Sequence, residues 1–136
     1  MDWKINYLEE DDIVLIKILN PINTLGKMQQ NAVEAASLAN YNQSQKYLID
    51  QRGVNFELSL MEVEHLPDIL KEAGINPQSK IALLMDPDSP NKHLFEFTKN
   101  ILSLASIKFK LFTDEDEAVT WLKAEEPVTS SKNSQQ

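Results

Sequence analysis

The sequence predicts one α/β domain over residues 1–124. Its sheet is five-stranded and mostly parallel, with an antiparallel first strand, in the order β-β-α-β-α-β-α-β-α. Three observations carry this. Two apolar runs, WKINYLE and DIVLIKIL, are separated only by an acidic turn, which is hairpin spacing. Three later apolar runs, KYLID, KIALLMD and IKFKLF, alternate with stretches of helical periodicity. Repeated helix–strand units of that kind build parallel sheets with helices over at least one face and right-handed crossovers.

The first strand alternates Trp3, Ile5 and Tyr7 with Lys4 and Asn6, so one of its faces is wetter. The second is apolar on both faces apart from Lys17, as an interior strand is. From Thr24 to about Tyr41 the residues Leu25, Met28, Ala32, Ala35, Ala36 and Ala39 form a small-residue helical stripe that lets a helix sit close to a sheet. KYLID is the third strand. SLMEVEHLPDILKEAG is the second helix, ended by Gly74, with Pro67 predicting a kink or break near Val63–Leu66. KIALLMD is a central strand. Ser89 and Pro90 are read as N-cap and first residue of the third helix, with Leu94, Phe97, Ile101, Leu104 and Ala105 on one face. IKFKLF alternates Ile107, Phe109 and Leu111 with Lys108 and Lys110, and those lysines guard a sheet edge. The last helix takes Thr113 as cap, carries acids in its first turn, and is anchored by Ala118, Trp121 and Leu122. Residues 125–136 are polar and aperiodic and are read as a disordered tail.

Composition excludes several function classes. The chain has no cysteine, which removes disulfides, thiolate zinc sites and cysteine nucleophiles. Its net charge is −8 and Arg52 is its one arginine, so a phosphate backbone is not its partner, and charge alone does not dock it on anionic lipid. The opening MDWKINYLEEDD has neither a basic n-region nor an apolar h-region, and no apolar run spans a bilayer. A cytoplasmic setting follows as an expectation, with peripheral membrane contact through an apolar patch left open. Neither a phosphate-cradling glycine loop nor a G-x-S-x-G elbow is present, so no cofactor is expected. His65 and His93 stand apart, without metal-ligand spacing, and are read as surface residues.

The order of elements, the opening strand with Trp3 and Tyr7, the YLIDQRG strand and loop, and the closing LFTDEDEAVTWL together resemble the SpoIIAA-like family of STAS-type domains. These are relatives of the bacterial anti-sigma-factor antagonists and are grouped with the CRAL-TRIO lipid carriers. The resemblance covers residues 2–123 and implies a non-enzymatic regulatory or interaction module. In the antagonists, the loop after the third strand leads to a serine at a helix N-terminus whose phosphorylation switches partner binding. That position here is Ser59, within ELSLM, where the antagonists carry an Asp-Ser-Ser-Gly signature.

The residues themselves offer a second account of Ser59. SLME is a capping box, in which the serine hydroxyl accepts from the Glu62 amide and Glu62 reaches back. Asp50 and Asp86 end strands, where open α/β sheets gather ligands, and could serve a hydrolase; as loop caps or partners of Arg52 they need no chemistry. Phe56, Leu58, Leu60 and Met61 crowd the loop and helix start beyond the third strand, either as a lid on the core or as an apolar surface. Two principal expectations follow. One is a protein partner bound around Ser59, Asp50 and Arg52. The other is a carrier or sensor of a small apolar ligand or lipid, held between the second and third helices. An exposed edge strand also leaves pairing with a second copy open.

Overall fold

In the computed structural model, which describes residues 1–125, β1 (Trp3–Leu8) and β2 (Ile13–Ile18) form the antiparallel hairpin. The chain continues through α1 (Leu25–Tyr41), β3 (Lys46–Asp50), α2 (Leu60–Val63), α3 (Leu66–Ala73), β4 (Lys80–Leu84), α4 (Lys92–Leu104), β5 (Lys108–Phe112) and α5 (Glu115–Lys123). The tail assigned to residues 125–136 falls, from 126 onward, outside the described residues. The sheet order is β1-β2-β3-β4-β5, with β2 to β5 parallel. Successive strands advance in one direction, so crossovers of one hand place their helices on one face. Accordingly α1, α3 and α4 pack side by side over one face, and α5 alone folds back over the other, against β3, β4 and β5.

Register shows what each face is made of. On the three-helix side one row reads Tyr7, Val14, Tyr47, Ile81 and Phe109 across the five strands. It belongs to the larger core, with Val14, Tyr47 and Ile81 buried. On the α5 side a row near the carboxyl ends of the parallel strands reads Lys4, Lys17, Asp50, Leu84 and Phe112. It turns from charged to apolar where α5 begins to cover it. The alanine stripe of α1 is buried as its spacing predicts, together with Asn31.

The predicted second helix is two. Pro67 has no N–H to donate to the Val63 carbonyl, so α2 stops after one turn and α3 restarts beyond Glu64 and His65. Gly74 closes α3 at φ 95°, a left-handed conformation that costs a glycine little. Four sequence expectations need correcting. The third helix starts at Lys92 rather than Pro90; Asn91 is its cap residue, and Ser89 instead accepts from the Asn91 amide at 3.1 Å. Its fully buried residues are Phe95, Thr98 and Leu102; Leu94, Phe97 and Ile101 are half-buried and pack on the core, and Leu104 is 85% exposed. The cap of α5 is Asp114, one residue after Thr113, because its carboxylate accepts from the Glu117 amide at 3.2 Å. The lysine side of β5 is also not wholly solvated: Phe112 lies there, buried against Trp121 at 5.7 Å between ring centres.

Candidate functional site

Strands β2 to β5 are parallel, so their carboxyl ends lie at one edge of the sheet, and the loop of residues 51–59 leaves β3 there. Asp50, the last residue of β3, is 8% exposed. Its carboxylate accepts from Arg52 Nε at 3.0 Å, Arg52 Nη2 at 3.0 Å and the Arg52 backbone N–H at 3.2 Å. Lys17 approaches it at 3.9 Å, and Arg52 extends to Glu115 at 3.2 Å, tying β3 to the first turn of α5. Burial pushes the Asp50 carboxyl up, but the hydrogen bonds and charge of Arg52 outweigh it, and the group is held below the usual carboxylate range. The same pairing raises the Arg52 guanidinium.

Asp86 acts on the next residue of the loop. Its Oδ2 accepts from the Gly53 amide at 2.7 Å, where Gly53 takes φ 75°. Gln51 donates to the Val54 carbonyl at 3.2 Å, and the Phe56 amide donates to Asn91 Oδ1 at 3.0 Å. The loop is therefore held by polar bonds at Gln51, Arg52, Gly53 and Phe56. Both acids are engaged in holding it: Asp50, at the end of β3, is neutralised by an arginine, and Asp86, which lies two residues past the end of β4 rather than ending the strand as expected, is bonded to a backbone amide.

Ser59 stands at the far end of the loop. Its hydroxyl accepts from the Glu62 amide at 3.1 Å, and Glu62 Oε1 accepts from the Ser59 amide at 2.9 Å, so both halves of the capping box are present. The four apolar residues expected to act together are divided. Leu58 is 2% exposed and belongs to the core. Phe56 is half-buried and packs on Phe95, with ring centres 5.3 Å apart. Leu60 and Met61 are 56% and 77% exposed. The division follows from α2 being a single turn. Val63 enters the core, and the two residues after the cap point away from it.

The sequence reading placed Ser59, Asp50 and Arg52 in one region, but the structure bonds only Asp50 with Arg52. It missed Asn91 and Glu115, which come from elements 35 and 63 residues away from their partners. Neither carries a local signal beyond its helix-start position. His65 and His93 are exposed, as read. Among the described residues no group of three or more His, Asp or Glu side chains is placed to hold a metal ion. Nor is any helix among them long and apolar enough to cross a membrane.

No protein-family model, curated protein or solved structure matches the chain.

Proposed function

We propose that this chain is a non-enzymatic, cytoplasmic interaction module of the SpoIIAA-like, STAS type that binds a protein partner at α2. The observation that carries the reading is the exposed pair Leu60 and Met61, adjacent on a turn pinned by the Ser59–Glu62 capping box. Large apolar side chains that make no use of the core are what a docking surface supplies. Holding them on a capped turn lowers the ordering cost of binding. The element order and the loop after β3 support the family assignment, and the polar bonds that hold that loop support a scaffolding role for Asp50 and Arg52.

The test is a pull-down from lysate with wild type and a Leu60→Glu/Met61→Glu double variant. The double variant is expected to keep its thermal midpoint and lose the captured partner. Ser59→Asp, which keeps an N-cap but adds charge beside the pair, is expected to weaken capture too. An identical set of partners for all three proteins would refute the reading.

A second reading, a carrier of a small apolar molecule, has one observation in its favour. An apolar cavity of about 60 Å³ lies under α3 and α4, lined in part by Leu66, Leu70, Phe95 and Leu102. Ligand pockets run to roughly 300–1,000 Å³. A lipid chain would enter only if α3 and α4 moved apart. Native mass spectrometry separates the two readings, since a carrier shows added mass that denaturation removes.

A further inference from the structure

The two faces of the sheet are covered unequally. Three helices cover one face, while α5 packs on β3, β4 and β5 of the other. On that second face β1 and β2 present Lys4, Asn6, Leu8, Leu15 and Lys17 beside α5; the lysines and Asn6 are exposed and the leucines half-buried. Lys4 and Lys17 are direct cross-strand partners. Like charges in that relation destabilise a sheet unless an anion compensates. Lys17 has only its 3.9 Å approach to Asp50, and Lys4 makes no ion pair among the described residues. In a chain with 21 acids and 13 bases, a lysine pair whose one nearby acid, Asp50, is already held by Arg52 is out of character on an open sheet face.

We propose that this face of β1 and β2 is a self-association surface that takes α5 of a second copy of the chain. Charge on α5 and on the open face follows a common order along the strand direction. Within one copy α5 starts beside Arg52, at the carboxyl ends of the strands, and ends with Lys123 bonded at 2.9 Å to Asp11 in the β1–β2 turn. It therefore runs antiparallel to β2, acidic end level with Lys17 and basic end level with the turn. A two-fold axis parallel to the strands preserves height along them. It lays the partner's α5 on β1 and β2 in the same sense, its acidic first turn over Lys4 and Lys17. On α5 the spacing places Asp116 opposite the buried Ala118 and Leu122, so it points outward toward the partner, while Lys123 stays on Asp11 of its own copy. Leu8 and Leu15 form an apolar floor between the two charged ends. Because the axis is two-fold, each contact occurs twice. This surface is distinct from α2, so the inference stands or falls independently of the proposed partner site.

Sedimentation equilibrium of the full chain tests it. Wild type is expected to dimerise, with a dissociation constant that rises as salt screens the pairs. Lys4→Glu and Asp116→Lys each turn two attractions into repulsions and are expected to weaken the dimer about tenfold or more. Among the described residues neither side chain makes an intrachain bond; Lys4→Glu relieves the lysine repulsion and should melt at or above wild type, while Asp116→Lys loses a favourable first-turn acid and should melt slightly below it, so a cooperative melt of each shows that both still fold. An equimolar mixture of the two is expected to recover wild-type affinity, because each contact in the mixed pair again joins opposite charges. A wild type that stays monomeric at every concentration and salt overturns the proposal. So does a Lys4→Glu variant that dimerises like wild type, or a mixture that recovers nothing.

Discussion

Replacing Asp50 by asparagine removes one charge and leaves the shape of the side chain unchanged. Asp50 is 8% exposed and accepts three hydrogen bonds from Arg52. Stranding a buried charge by deleting its partner costs ~3–5 kcal/mol. That bound is too high here, because the Arg52 side chain is 41% exposed and keeps Glu115. The asparagine oxygen also still accepts from one Arg52 donor. What is lost is charge assistance to a buried fork, and a loss of about 2 kcal/mol is expected at neutral pH. Urea denaturation of both proteins measures it. The dependence on pH is the sharper check. Asp50 is held below its ordinary carboxyl value in the folded state. Its contribution is therefore complete above the unfolded value of about 3.9 and disappears as pH falls through the folded value. The stability gap between wild type and Asp50→Asn should be full at neutral pH and close in acid. A gap below about 0.5 kcal/mol at neutral pH, the scale of an ordinary surface substitution, would refute the reasoning. So would a gap that stays constant into acid.

Three further substitutions probe the site and the core under it. Ser59→Ala removes one half of the capping box and is expected to cost about 1 kcal/mol in urea denaturation, whereas Ser59→Asp, itself a cap, should cost less. Tyr47 is buried, its hydroxyl has no hydrogen-bond partner among the described residues, and burial pushes its pKa up to about 12. Removing an unpaired buried hydroxyl relieves desolvation, so Tyr47→Phe is expected to stabilise the domain by ~1 kcal/mol; a lower denaturation midpoint would contradict that account.

Much of the fold was legible because period and punctuation are local. Alternation in β1, the unbroken apolar run of β2, the alanine stripe of α1 and the break imposed by Pro67 each depend on residues within a few positions of one another. The Ser59 capping box was legible for the same reason, since donor and acceptor are three residues apart. Helix starts were less so: Ser89, Asn91, Thr113 and Asp114 are all good cap residues, and only backbone geometry selects among candidates one or two positions apart.

Tertiary structure decided the rest, and chiefly which side each residue faces. Leu104 has the composition of a core residue, yet packing of α4 through Phe95, Thr98 and Leu102 turns it to solvent. Phe56, Leu58, Leu60 and Met61 form one apolar stretch in the chain and three environments in space, because the loop is pinned by Asp86 and Asn91 from elsewhere. The same holds for Lys4 and Lys17. Their separation in sequence says nothing of a like-charged pair. Hairpin register makes them neighbours, and the path of α5 leaves their face uncovered. Local sequence sets the period of an element, but the direction of a side chain depends on what packs against it from distant parts of the chain.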